Sequence, residues 1–315
     1  MNNIKVFAKN NTFVLVNNIC KKLNIELAKS NSFTFSNGEI GVNIEESVRG
    51  DDVFIIYSTY SNDLLLELMI MIDALKRASA RRITAVIPFF GYARQDRKAR
   101  PREPITAKLV ADLLTTAGAD RILTIDLHVD QIQGFFNIPV DHLTAIPLLA
   151  NYFKEKLFDM YHCDDIIVVS PDHGGVTRSR RFAKQLNCDL AIVDKRRDHN
   201  NPNQSEVINI IGNVKNKICI LVDDMIDTAG TISNASKALR NDGASTIFAC
   251  ATHPVLSGKY NINMFNSCIN EFIFTDTIPI HNTITSRYSI VSVDQLLADA
   301  IKRIHNEESV SELFM

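Results

Sequence analysis

Several features that would classify this chain at a glance are missing from it. No apolar stretch is long and clean enough to cross a bilayer. The richest segment, around 64–75, is broken by Glu67 and Asp73, which marks a core helix. Charge of one sign is not in excess: 34 Lys and Arg face 36 Asp and Glu, so no nucleic-acid surface is implied. The six cysteines (Cys20, Cys163, Cys188, Cys219, Cys250, Cys268) form no C-x-x-C pair, which argues against a zinc site and a disulfide framework. Several lie in apolar runs, where a small core side chain is the plain reading. A Gly-x-x-x-x-Gly-Lys run is absent, against a P-loop kinase. The first residues carry no signal-peptide pattern, and no segment is of low complexity. The expectation is a soluble, cytoplasmic chain with no membrane or nucleic-acid partner.

What is present is apolar material for large cores, 46% of 315 residues, and a length that suits two domains. Strand-like and helix-like segments alternate. Strands are expected at 52–57, 83–90 and 121–126, with helices at 63–79, 105–117 and 147–157. A second series has strands at 165–170, 189–194, 207–211, 245–252, 271–275 and 289–293, and helices at 175–186, 232–239 and 294–304. Pro104 and Gly118 bracket the 105–117 helix in the usual sense. Repeated alternation implies parallel sheets with right-handed crossovers. Two series imply two doubly wound α/β domains, 1–144 and 145–300, with a tail, 301–315, packing back on the first.

The most informative run begins as an apolar strand at Ile218 and continues through Asp223, Asp224, Asp227, Thr228, Ala229, Gly230 and Thr231 into a helical pattern. Open α/β sheets bind ligands at the carboxyl ends of their strands. Exposed backbone N–H groups, two hydroxyls and a helix amino terminus make an anion cradle, and Gly230 permits close backbone approach. Asp223 and Asp224 repel such an anion. They suit sugar hydroxyls as acceptors, or a metal.

Other strand ends are equally polar. Between Gly91 and Arg102 lie Arg94, Gln95 and five basic residues in all, which suits a polyphosphate or, more plainly, a solvated loop. His128 ends another strand and could meet a metal or phosphate, or act as a structural hydrogen-bonder. Asp172 stands either as a metal ligand or as the cap of the next helix. Lys195, Arg196 and Arg197 open the polar stretch 196–205, read as a mobile lid or an exposed hairpin.

The 218–231 run resembles the phosphoribosyl-diphosphate signature of the type I phosphoribosyltransferase fold. Taken with 33–39, 46–50, 91–98, 126–128, 131–136, 170–172, 194–197 and the tail 304–314, nearly the whole chain resembles class I ribose-phosphate diphosphokinases. The resemblance implies transfer of the β,γ-diphosphate of ATP to the 1-hydroxyl of ribose 5-phosphate, with Mg2+. It implies that Asp223, Asp224 and 227–231 hold ribose 5-phosphate together with Arg197, and that Lys195 and Arg197 neutralise the transferring diphosphate. His128 and Asp172 become magnesium residues. Phe35, Asn37, Gly38 and Glu39 form an adenine hairpin supplied by a neighbouring subunit, and Arg94 and Gln95 also bind ATP. The assembly implied is a homo-hexamer, with phosphate and ADP as effectors at Ser47, Arg49, Arg102, Ser309 and Ser311.

Some positions depart from the family pattern: Asn37 where many bacterial members have Asp, Val129 and Asp130 after His128, Pro101, and His173, for which the sequence suggests no role. A nucleobase phosphoribosyltransferase would not need Arg94, Gln95, His128 or the Phe35 hairpin. A non-catalytic subunit should have lost part of the lid or the Asp pair.

Overall fold

The computed structural model describes residues 3–9, 14–196, 207–280 and 287–314. Contacts divide the chain into two units, Met1–Thr144 with Ser292–Met315, and Ala145–Val291. The first unit opens with β1 (Ile4–Ala8), α1 (Val14–Leu23) and a hairpin of β2 (Ser30–Thr34) and β3 (Ile40–Ile44). β4 (Asp52–Ile56), α2 (Asn62–Arg77), β5 (Arg82–Ile87), α3 (Thr106–Ala117), β6 (Arg121–Ile125) and β7 (Val140–Leu143) follow. The sheet runs β1-β4-β5-β6-β7 with every pair parallel. Its central strands are mostly apolar, as a sheet covered on both faces requires: β4 is buried at all five positions, Val53 to Ile56 after a buried Asp52.

Helix ends follow local chemistry. Ser61 caps α2, its hydroxyl accepting from Leu64 N at 3.3 Å, while Lys76 and Arg77 sit in the last turn. Gly118 closes α3 in the left-handed region at φ 119°, where a Cβ would be strained. The apolar stripes of α2 and α3 pack with Phe90, Ile132 and Phe136 into one core.

The second unit holds α4 (Ile146–Leu157), β8 (Ile166–Ser170), α5 (Val176–Leu186), β9 (Asp189–Arg196) and β10 (Val207–Ile211). It continues with β11 (Ile218–Ile226), α6 (Gly230–Asn241), β12 (Thr246–Pro254), α7 (Tyr260–Phe265), β13 (Glu271–Thr275) and β14 (Tyr288–Val291). The strand order is β10-β9-β8-β11-β12-β13-β14, parallel except for the antiparallel edge strand β10. Strand order reverses between β8 and β11, the place where a doubly wound sheet opens a crevice. β11 pairs with β8 only from Ile218 to Leu221, and beyond that with β12 alone. The register therefore leaves one edge of β11 open from Val222 onward.

α8 (Asp294–His305) belongs by contacts to the first unit, although the sequence reading placed its first turns in the 145–300 domain. The cause is its apolar stripe, Leu297, Ala298, Ile301 and Ile304, which packs on α1. A buried ion cluster fixes its last turn. Asp52, with no exposure, accepts from Arg82 Nε at 2.9 Å and lies 2.9 Å from His305 Nδ1, and Arg82 Nη2 donates to Ile304 O at 2.8 Å.

All six cysteines are free. Burial raises the thiol of Cys20 to about 11 and that of Cys219 to about 12, so neither forms a nucleophile near neutral pH. Among the described residues no helix is long and apolar enough to cross a membrane.

Candidate functional site

In the second unit the carboxylates at the end of β11 stand on its open edge. Asp224 is 2% exposed and Asp223 is half-buried. Asp223 Oδ1 accepts from Asp224 N at 2.9 Å and from Arg178 Nη1 at 3.3 Å, and the same nitrogen reaches Asp224 Oδ1 at 3.1 Å. Burial pushes the Asp223 carboxyl well above its ordinary value, the Asp224 charge adds to this, and Arg178 opposes it. One cation, Arg178, thus faces both carboxyl groups. Sequence reasoning missed Arg178, because nothing distinguishes it there from Arg180 and Arg181.

The loop 227–229 then turns into α6. Ala229 takes the left-handed conformation at φ 61°, and its carbonyl accepts from Ser233 N at 3.0 Å. The N-cap Ala229 offers no side-chain cap to the first N–H groups of this helix. The loop is braced from behind. Ser257 Oγ donates to Asp227, Asn263 Nδ2 donates to Thr228 O at 2.7 Å, and Leu256 N donates to Ile226 O at 3.0 Å. A Cβ at Gly230 would make only ordinary contacts, 3.7 Å from Thr228 Oγ1 and 3.9 Å from Asn263 Nδ2. Beside the loop, Thr277 donates to Thr252 O at 3.0 Å and so accepts from His253 Nδ1, also at 3.0 Å, which stiffens the end of β12.

Asp172 follows β8. Its Oδ1 accepts from Gly175 N at 3.0 Å, while its carbonyl receives the Ser170 hydroxyl at 2.7 Å. The capping reading of Asp172 is not realised: Gly175 stands at the N-cap of α5, and the Asp172 oxygen instead closes the turn before it, which orients the carboxylate. His173 Nε2 lies 2.7 Å from Asp194 Oδ1, giving a partner to a residue the sequence left unexplained. Asp194 immediately precedes Lys195, whose backbone lies in β9. Arg197 and most of the expected 196–205 lid lie outside the described residues.

In the first unit the β2–β3 turn carries Phe35, Asn37, Gly38 and Glu39. Gly38 adopts φ 91°, Asn37 Oδ1 accepts from Glu39 N at 3.1 Å, and Phe35 N donates to Glu39 O at 2.8 Å. Phe35 is 52% exposed and meets Phe33 edge-on at 4.9 Å. Gly41 makes room for that second ring, since a Cβ there would stand 2.4 Å from it. Phe33 is a further aromatic that the site reading left out.

Gly91 turns the chain after β5, where a Cβ would fall 2.2 Å from Thr59 O. Gln95 N donates to Tyr92 O at 2.9 Å, and Thr106 Oγ1 donates to Gln95 Oε1 at 2.6 Å. Arg94 and Gln95 are exposed. Glu103 Oε2 accepts from Ala99 N and Arg100 N, each at 2.9 Å, so the basic loop is folded on itself, with exposed Arg102 at φ 70°. His128 is half-buried two residues beyond Asp126, which holds φ 39° and accepts from Thr144 Oγ1 at 2.8 Å. Leu127 N donates to His142 Nε2 at 2.8 Å, so His142 carries its proton on Nδ1, 3.8 Å from Asp130 Oδ1. Ser47 and Arg49 are exposed after β3. Ser309 and Ser311 hydroxyls lie 2.6 Å apart, with Arg303 Nη1 on Ser309 O at 2.7 Å. Among the described residues no three His, Cys, Asp or Glu side chains converge on a metal position.

Residues 4–118 match the family of the N-terminal domain of ribose phosphate pyrophosphokinase, and 198–315 match the phosphoribosyl synthetase-associated domain. The ribose-phosphate pyrophosphokinase of Clostridium perfringens is 58% identical over 315 residues, covering 99% of this chain and 98% of that protein. That of Clostridium tetani is 54% identical over 314 residues, covering 99% and 97%. The crystal structure of phosphoribosylpyrophosphate synthetase from Mycobacterium smegmatis superposes with a TM-score of 0.90 at 44% identity, covering 97% of this chain and 99% of that one.

Proposed function

We propose a residue-level mechanism on the premise the comparisons establish: this chain belongs to the ribose-phosphate pyrophosphokinase family. The enzyme transfers the β,γ-diphosphate of ATP to the 1-hydroxyl of ribose 5-phosphate, forming 5-phosphoribosyl 1-diphosphate and AMP for nucleotide synthesis. Such transfer needs an in-line hydroxyl and neutralised phosphate charge more than a protein nucleophile.

The observation that carries the site assignment is the open edge of β11. Half-buried Asp223 and buried Asp224 lead there into an uncapped helix start behind a left-handed Ala229. In our reading, 227–231 holds the 5-phosphate on backbone N–H groups and the Thr228 and Thr231 hydroxyls. Asp223 and Asp224 accept the ribose hydroxyls. Lys195 and Arg197 place positive charge on the diphosphate in flight, and losing such a cation costs roughly 3 kcal/mol of barrier. Exposed Phe35, edge-braced by Phe33, stacks on adenine while Asn37 and Glu39 read its edge. Arg94 and Gln95 bind the nucleotide.

The donor set suits magnesium only in part. Asp172 offers an oriented carboxylate and His128 a ring nitrogen, whereas magnesium prefers oxygen and keeps water. The residues fit an ion that takes most of its ligands from nucleotide phosphates and water. When bound, it would neutralise the β- and γ-phosphates.

A homo-hexamer completes the reading. Its support is an exposed apolar stripe on α3 and the turn before it, Ile105, Leu109 and Leu113, with Leu66 of the adjoining α2. Phosphate and ADP act at Ser47, Arg49, Arg102, Ser309 and Ser311, and six free thiols suit a reducing cytoplasm. The test is binding of ribose 5-phosphate to wild type and to Asp224→Asn. Wild type binds, and the variant binds at least tenfold more weakly; equal binding would remove the Asp pair from the site.

A further inference from the structure

One arginine outside every sequence motif joins the two ribose-site carboxylates. Arg178 lies in the first turn of α5, and its Nη1 contacts Asp223 Oδ1 at 3.3 Å and Asp224 Oδ1 at 3.1 Å. Consecutive strand residues ordinarily point to opposite faces. Here both carboxylates turn an oxygen to a single nitrogen, which sets the angle between them. Asp223 Oδ1 is held a second time, by Asp224 N at 2.9 Å.

The arginine has a firm base. Its neighbour Ser179 is buried and donates to Val222 O at 3.4 Å, at the point where β11 leaves β8. Phe182, one turn on, is fully buried and edge-on to Phe153 at 6.1 Å. The start of the helix is tied through Gly175 N to Asp172 at 3.0 Å. The side chain of Arg178 is only 17% exposed, so its charge is little screened. A third carboxylate, Asp172, adds its negative field to Asp223, and the Cys250 thiol of β12 lies within the field of Asp223. Without a cation, this crowd of like charges in a partly dry crevice turns apart, out of the orientation that the shared guanidinium nitrogen sets.

We propose that Arg178 is a positioning residue of the ribose site, holding Asp223 and Asp224 in the orientation that accepts the ribose hydroxyls. The role rests on the ribose 5-phosphate reading of 223–231. A guanidinium suits the task because its planar fork is rigid, and lysine would supply a point charge on a flexible stem.

The test measures ribose 5-phosphate binding without nucleotide, together with kcat and both KM values, for the full-length wild type, Arg178→Gln and Arg178→Lys. Charge-assisted hydrogen bonds of this kind set the scale. R178Q weakens ribose 5-phosphate binding roughly tenfold to hundredfold and raises its KM in step, with the KM for ATP unchanged. R178K recovers part of the loss; it also carries the test should R178Q not fold, being expected to bind about threefold to tenfold more weakly than wild type. A merely structural arginine would lower the active fraction and kcat without a selective shift in ribose 5-phosphate affinity, and that pattern overturns the proposal. Wild type binding and R178Q binding equally well overturns it too, leaving the site assignment standing. A wild type that does not bind ribose 5-phosphate overturns the site assignment and this role together.

Discussion

Replacing Gly91 by Ala places a Cβ 2.2 Å from the backbone oxygen of Thr59. A carbon–oxygen contact needs roughly 3.3 Å, so the two segments must part by about 1 Å. Thr59 has little freedom to retreat. It is 3% exposed, its N donates to Phe89 O at 2.9 Å, its hydroxyl donates to the same oxygen at 3.2 Å, and Gly91 N donates to that hydroxyl at 2.7 Å. Overpacking of this kind costs about 1–3 kcal/mol. For a unit of this size that lowers Tm by roughly 2–12 °C. The displaced loop carries Arg94 and Gln95. Misplacing a binding group by about 1 Å can cost up to roughly a hundredfold in kcat/KM. We expect G91A to raise the KM for ATP at least tenfold while ribose 5-phosphate binding stays as in wild type. Thermal melting, steady-state kinetics and calorimetric titration read the three quantities. Wild-type Tm with wild-type KM for ATP would refute the reasoning, since a rigid Thr59 could not absorb the new carbon.

Asp52→Asn breaks the buried cluster that ties α8 to β4 and β5, a loss of about 3–5 kcal/mol, or roughly 6–20 °C in Tm; a shift under 2 °C would show that His305 and Arg82 need no anion. Buried Glu271 pairs with half-buried Lys156 at 2.6 Å. Burial pulls the Glu271 carboxyl up, but hydrogen bonds from Lys156 and Ser289 outweigh it and the net value is lowered. Its contribution is therefore present above the ordinary carboxylate value and disappears as pH falls through the lowered one. Lys156→Met, which removes the cation and leaves Glu271 its Ser289 and Tyr152 hydrogen bonds, lowers Tm near neutral pH, and the deficit shrinks as pH falls from roughly 6 to 3; a deficit independent of pH contradicts the pairing. Phe35→Ala leaves Tm unchanged because the ring is half-exposed, yet raises the KM for ATP by the roughly 1–3 kcal/mol typical of base stacking; an unaltered KM would take adenine off this hairpin.

The α/β class and most elements were legible because buried parallel strands leave continuous apolar runs and their helices leave 3.6-residue stripes. The strands at 166–170 and 271–275 and the helix bounded by Pro104 and Gly118 stand within a residue of expectation. β1, α1 and α7 were not expected: they are short, and α7 is a six-residue turn with Ile262 and Phe265 exposed. The division at Ser292 depends on which surface the stripe of α8 covers, a tertiary matter that periodicity does not encode. Within the site, the acidic pair and the phosphate loop announced themselves by contiguity. Arg178 did not, because three arginines crowd the start of one helix and only its register against β11 selects the one that reaches both carboxylates. Phe33 was hidden for a similar reason: it faces the same side as Phe35 only once the strand is paired and Gly41 opens the space.

The most direct test of the account is the nucleotide formed when the full-length protein meets magnesium, ATP and ribose 5-phosphate, followed by phosphorus NMR. AMP accumulating one for one with 5-phosphoribosyl 1-diphosphate is the expected result, and Lys195→Ala should nearly abolish it. ADP accumulating with a singly transferred phosphate would contradict diphosphate transfer and the roles assigned to these residues.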